Sequence, residues 1–191
     1  MIDLAPSPAP VRHLAPGEPW TAIHERHVDL LIAPRTPLLA RGLLDRACDL
    51  LESPILFEGD PDALPAALDP VPALLAADVM ALATRFAAFI GKPRIRLRLE
   101  VITSDACRKW HRDYTDLRLV LTYLGPGTQF RLAEGDAFEQ VPEQAAALFK
   151  GRLAPSCAGA LEHRSPLIEG TGLRRLVLVL DGPMIAPAPA P

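Results

Sequence analysis

The sequence predicts an α+β protein in which N-terminal helices pack on one sheet of an antiparallel jelly-roll, a cupin-like sandwich. Three observations carry this. Apolar residues recur at helical spacing only in the first half of the chain. After Pro93 the period drops to two. From there on, short apolar runs are separated by glycine-rich turns, and helices followed by strands in this order describe an α+β arrangement. A length of 191 residues fits one domain.

The elements follow in order. Residues 1–19 hold Pro6, Pro8, Pro10, Pro16 and Pro19, and read as a flexible Pro-rich N-terminus; 184–191 read as a flexible Pro/Ala tail. The domain is expected over 20–183, with a helical part at 37–91 and a β-rich part at 94–181. Residues 28–32 suggest a short strand. Residues 37–52 place Leu39, Leu43, Leu44, Ala47 and Leu51 on one stripe, with Pro37 near the start of the helix. Residues 72–90 form a more apolar helix stopped by Gly91 and Pro93. Its Phe86, Phe89 and Ile90 suit packing against a sheet. Over 94–101, Arg94, Arg96, Arg98 and Glu100 alternate with Ile95, Leu97, Leu99 and Val101, the pattern of a half-buried strand. Further strands are expected at 117–124, 136–141, 145–150, 158–163 and 173–180, with turns at Gly125-Pro126-Gly127, Glu134-Gly135-Asp136 and Gly170-Thr171-Gly172.

Composition excludes several function classes. Hydrophobic residues make up 49% and charged residues 23%, close to globular averages. A net charge of −3 gives no overall footprint for nucleic acid, so no nucleic-acid partner is expected. Apolar runs such as Leu176–Leu180 fall far short of the roughly 20 residues of a membrane helix, and no membrane partner is expected. The three cysteines are odd in number and widely spaced, which suits a reducing compartment, and the N-terminus lacks the basic-then-apolar pattern of a secretory leader. A cytoplasmic location is the resulting expectation. There is no Walker A sequence, no G-x-S-x-G and no complete G-x-G-x-x-G, so nucleotide binding and serine-hydrolase chemistry have no support.

The informative segment is Cys107-Arg-Lys-Trp-His111-Arg-Asp113. In an extended chain, His111 and Asp113 project from one face. His163 follows 50 residues after Asp113, room for several intervening strands. Two histidines and one carboxylate that leave coordination positions open are the donor set of non-haem Fe(II) oxygenases. The bland alternative is a surface histidine beside a salt-bridged aspartate. Arg174 and Arg175 open the strand after His163, and one of them could grip a carboxylate; only one can point inward, because neighbours on a strand face opposite ways.

This pattern resembles the Fe(II)/2-oxoglutarate-dependent dioxygenase superfamily with its double-stranded β-helix: H-x-D, a distal His, then an Arg on the next strand. The likeness covers roughly residues 94–181. It implies His111, Asp113 and His163 as iron ligands, 2-oxoglutarate held by Arg174 or the adjacent Arg175, and hydroxylation of a C–H bond. More narrowly, the chain resembles a bacterial family of unknown function, 1826. The residues responsible are Arg98-Leu-Glu100, Trp110-His111-Arg-Asp113, Leu121-Thr-Tyr123-Leu-Gly-Pro-Gly127-Thr128 and His163-Arg-Ser-Pro166. Association of that family with metal homeostasis implies a non-catalytic zinc-binding protein as the alternative.

Zinc would be favoured if Cys107 and Cys157, four residues before His111 and six before His163, turned inward as thiolate ligands. The competing reading is that they are small buried hydrophobes. Tyr123 and Thr122, on the strand leaving the ligand pair, could line the cofactor pocket or belong to the core. His24 and His27 have no third ligand nearby and read as structural. The sequence leaves substrate and oligomeric state open.

Overall fold

The computed structural model describes residues 9–36 and 38–183. The expected helix-start proline at 37, residues 1–8 of the N-terminus and the 184–191 tail lie outside the described residues.

Among the described residues, ten strands form two sheets. They are β1 (Val11–His13), β2 (Leu30–Ala33), β3 (Ile55–Gly59), β4 (Ile95–Ile102), β5 (Leu117–Leu124), β6 (Gln129–Leu132), β7 (Phe138–Gln140), β8 (Ala146–Lys150), β9 (Leu161–Arg164) and β10 (Arg175–Asp181). The larger sheet has seven strands in the order β1-β2-β8-β5-β10-β4-β3; the smaller has three, β7-β6-β9. Every pairing is antiparallel except β1 with β2. Two helices, α1 (Arg41–Leu50) and α2 (Ala73–Ile90), complete the layers.

The central strands β2, β8, β5 and β10 are buried on both faces, and alternation sorts their side chains. Leu97 and Leu99 of β4, Leu119 and Leu121 of β5, and Leu176, Leu178 and Leu180 of β10 face a core that includes Leu44 and Ala47 of α1 and Leu75, Val79, Leu82 and Phe86 of α2. The intervening residues, Val120, Ala147, Phe149, Val177 and Val179, pack instead against Phe130 of β6 and Leu161 of β9. Each fully buried Leu or Phe stabilises the fold by about 1.5–3 kcal/mol. The candidate site residues lie in this second layer, between the sheets.

The helical part begins and ends close to expectation. α2 stops at Gly91, which takes a left-handed φ of 63° that side chains other than glycine and asparagine resist. By length and composition α2 could cross a membrane, contrary to the expectation that no run approaches that size; here one of its faces packs on the large sheet. It also carries Asp78, which accepts a bond from Tyr123 Oη at 2.6 Å across the helix–sheet boundary.

Residues 9–19 depart from the expected flexible terminus. β1 pairs with β2 as an edge strand, Leu14 and Trp20 are buried, and Arg85 of α2 lies 3.9 Å above the Trp20 ring. β3 and β6 have no counterpart among the expected strands. Both are short, and β6 follows directly on the Gly125–Gly127 turn.

Candidate metal centre

Two segments distant in sequence meet here. The chain around His111 runs antiparallel to β9, and His111 and His163 form an isolated bridge: His111 N–H donates to the His163 carbonyl at 3.0 Å, and the reverse bond is 2.9 Å. Directly paired strand residues project to the same side. Both imidazoles therefore point between the sheets, with ring centroids 4.6 Å apart. One step further, Ser165 N–H donates to the Cys107 carbonyl, and Asp105 Oδ1 accepts from the N–H groups of Ile168 and Glu169. On the other side, buried Asp29 accepts from Ala158 and Ala160 N–H, which fixes the entry into β9.

Asp113, two residues after His111, completes the cluster. One donor atom from each of His111, Asp113 and His163 falls within 4.8 Å of the others. His111 Nε2 is 3.6 Å from Asp113 Oδ1, and His163 Nε2 is 3.1 Å from Oδ2. His111 Nδ1–H donates to the Lys109 carbonyl at 2.9 Å, which leaves the Nε2 lone pair of the neutral ring facing the cluster. Phe149 packs on the His163 ring at 4.5 Å.

Arg118 is a member that sequence reasoning missed. It grips Asp181 with two bonds, Nε to Oδ1 at 2.7 Å and Nη2 to Oδ2 at 2.8 Å, and its Nη1 donates to Asp113 Oδ1. A signal for it exists in the sequence: Arg118, Val120 and Thr122 alternate on β5, so Arg118 faces the layer that holds Asp113. Burial alone would raise the Asp113 pKa. Its contacts with His111 and His163 and the nearby Arg118 guanidinium outweigh that, and hold the carboxyl well below the usual carboxylate range. Asp113 in turn raises the His111 pKa, against the effect of burial.

The donor set fits a divalent metal ion. Asp113 Oδ2 is buried and accepts no hydrogen bond, because the approaching His163 nitrogen is not aligned to donate to it. A buried carboxylate oxygen without a partner is costly unless a bound ion satisfies it. Two imidazole nitrogens and that oxygen, at mutual ligand spacing, meet the requirement of a 2-His-1-carboxylate site. Arg118 holds the other oxygen, Oδ1, which directs Oδ2 toward the histidines.

The two arginines of β10 part company. Arg175 turns between the sheets and is only 1% exposed. Its Nε donates to the Pro126 carbonyl at 2.7 Å, Nη1 to Ser165 Oγ at 3.1 Å, and Nη2 to Thr122 and Thr128 hydroxyls at 3.2 and 3.4 Å. Every one of these acceptors is neutral, and burial lowers its pKa to about 10. Gly125, at φ 87°, lets the chain approach the start of β10: a Cβ there would lie 2.3 Å from the Arg174 carbonyl oxygen and 3.3 Å from Arg175 Cγ. Arg174, the other carboxylate-binding expectation, turns to the opposite face and pairs with Asp49 at 2.6 Å and Asp45 at 3.2 Å on α1. Strand alternation makes the two choices exclusive, and the inward one is Arg175.

Tyr123 also lies away from the cluster and from Arg175. A β-bulge opposite Leu176/Val177 lets Tyr123 and Leu124 both face the helices, while Thr122 faces Arg175. The cysteines contribute nothing to the cluster: Cys107 is exposed and Cys157 half-buried, and the metal-competent group among the described residues contains only His111, Asp113 and His163. The zinc expectation loses its thiolate ligands. His24 stacks on Phe89 at 5.3 Å, a structural role.

The profile of the family described as "protein of unknown function (DUF1826)" matches residues 63–181, and the chain belongs to that family. No curated protein matches. Among solved structures, a candidate oxygenase from Shewanella oneidensis is similar at 13% identity, with 90% of this chain and 88% of that one covered and a TM-score of 0.49. A C-terminally truncated Neurospora crassa protein in apo form, whose full-length form is solved in complex with alpha-KG, is similar at 12% identity, 81% and 82% coverage and TM-score 0.47. A Pseudomonas putida prolyl-4-hydroxylase follows at 20% identity, 68% coverage of each chain and TM-score 0.39.

Proposed function

We propose that this member of the DUF1826 family is an Fe(II)- and 2-oxoglutarate-dependent oxygenase. In this reading His111, Asp113 and His163 hold the iron, and Arg175 holds the far carboxylate of 2-oxoglutarate.

The observation that carries the proposal is Arg175. A buried guanidinium bonded only to neutral oxygens lacks a direct anionic partner: the Glu100 carboxylate acts on it from a distance, and no carboxylate lies within ion-pair distance of it among the described residues. Glu100, on neighbouring β4, is engaged by Arg98 at 3.1 Å. An anion delivered by a ligand would supply the missing charge and gain a charge-assisted bond. Ser165, which touches Arg175, is two residues beyond His163, a step of roughly 6–7 Å along an extended chain. A short dicarboxylate can therefore reach from the arginine toward the histidines.

Iron, when bound, supplies the redox chemistry that couples oxidation of 2-oxoglutarate to succinate and CO2 with insertion of an oxygen atom into substrate. The residues of the chain supply position and environment. Lys109 fixes the tautomer of His111, Arg118 fixes the rotation of Asp113, and Phe149 limits the swing of His163. The apolar layer of Val120, Phe130, Val177 and Val179 excludes water around these groups and strengthens their electrostatics.

The test is product formation. Protein purified without oxygen, loaded with Fe(II) and given 2-oxoglutarate and O2, is expected to release succinate even without substrate, slowly, and His111→Ala should stop it. Wild-type protein that binds Fe(II) yet yields no succinate above that variant would refute the reading.

A further inference from the structure

We propose that the outer face of the three-stranded sheet is a docking surface for single-stranded nucleic acid. This surface is separate from the metal centre and does not depend on the oxygenase reading. The alternation that sends His111, Phe130 and His163 inward sends Trp110, Arg131 and Arg164 outward. Phe138 of β7, paired with Arg131, joins them and is 49% exposed. The result is a layer of rings and guanidinium planes. Arg164 Cζ lies 4.3 Å from the Trp110 centroid and 5.5 Å from that of Phe138; Arg131 Cζ lies 4.6 Å from Trp110; and the two rings are 6.0 Å apart.

Cations gather around Trp110, beside the acidic residues Glu134, Asp136 and Glu139 of the β6–β7 hairpin. Arg108 and Lys109 are exposed immediately before Trp110, and Arg112 follows it. Of Arg108, Lys109, Arg112, Arg131 and Arg164, only Arg131 makes an ion pair among the described residues, with Glu162 at 3.0 Å. Arg164 is held at Nε by Gln129 Oε1 at 2.8 Å, which orients its Nη edge; that edge makes no hydrogen bond among the described residues and can take a phosphate in a two-point grip. The chain as a whole carries −3, which conceals this patch from any reading of net charge.

The chemistry selects among polyanions. An acidic peptide would use the cations and leave the rings idle. Unpaired bases stack on aromatic rings and on arginine planes while their phosphates meet the free guanidinium edges, so a single strand uses both halves of the surface. A duplex hides its base faces and could use only the charge.

Fluorescence anisotropy with a labelled oligothymidylate of roughly 12 nucleotides, within the usual range of such sites, tests this on the full-length protein. Binding is expected at low salt, weakening steeply as salt rises. Arg164→Gln should weaken it at least about tenfold, and Arg164→Lys, which keeps the charge but not the fork, by an intermediate factor. Arg174→Gln, on the far side of the large sheet, should leave it unchanged. Absence of binding at low salt would overturn the proposal. So would equal binding of a duplex of the same length, equal loss in Arg174→Gln, or full displacement by a polyglutamate peptide at the same charge concentration.

Discussion

His111 and His163 sit directly opposite one another across an isolated antiparallel bridge, each donating its backbone N–H to the other's carbonyl. The backbone thus holds the two imidazoles in place before any metal arrives. His163→Ala should accordingly keep the fold, since the bridge uses main-chain atoms only, while losing stoichiometric Fe(II) or Co(II) binding. Circular dichroism and metal analysis of the same sample check the two halves. Loss of structure together with metal would mean that the metal, not the bridge, organises these segments.

Arg118 joins Asp113 and Asp181 in one buried network. Arg118→Leu removes the guanidinium that bridges the two carboxylates and leaves Asp181 only its 3.6 Å contact with Arg96, a change expected to cost about 3–5 kcal/mol. Urea denaturation should show that loss, and a double variant with Asp181→Asn should recover part of it. Recovery follows because a neutral amide no longer requires the guanidinium.

The neighbours Arg174 and Arg175 make opposite predictions. Arg175→Gln should weaken 2-oxoglutarate binding by about 1.5–3 kcal/mol, the scale of a charge-assisted bond, with metal affinity retained. Arg174→Gln should leave 2-oxoglutarate binding unchanged, because its partners Asp45 and Asp49 belong to α1. Isothermal titration of both variants separates them.

Much of this arrangement is legible in the sequence, and the exceptions have physical causes. The span of β5 and the boundaries of α2 and β4 follow from sustained periodicity bounded by proline or glycine. β1, β3 and β6 are three to five residues long, too short for a period to register. The choice between Arg174 and Arg175 depends on register, and one residue of slip exchanges the faces of a strand. Tyr123 is sent to the helical side by strand alternation and a bulge that no local motif announces. The H-x-D pair and His163 are readable because their spacing survives as geometry. Arg118 escapes notice because a strand arginine ordinarily suggests a solvated face.

Tyr123 provides a control on that reassignment. Tyr123→Phe removes the bond to Asp78 inside the helix–sheet core and should cost about 1–3 kcal/mol of stability. Its affinity for 2-oxoglutarate should match that of the wild type, as judged by the same titration.

In the proposed reading one site holds both Fe(II) and 2-oxoglutarate, through His111, Asp113 and His163 on one side and Arg175 on the other. Titrating 2-oxoglutarate into the Fe(II)-loaded protein without oxygen tests it most directly. A visible charge-transfer band that saturates with cosubstrate, and that needs higher concentrations in Arg175→Gln, is the predicted result. Absence of any band at millimolar 2-oxoglutarate, in protein shown to contain stoichiometric iron, would contradict it.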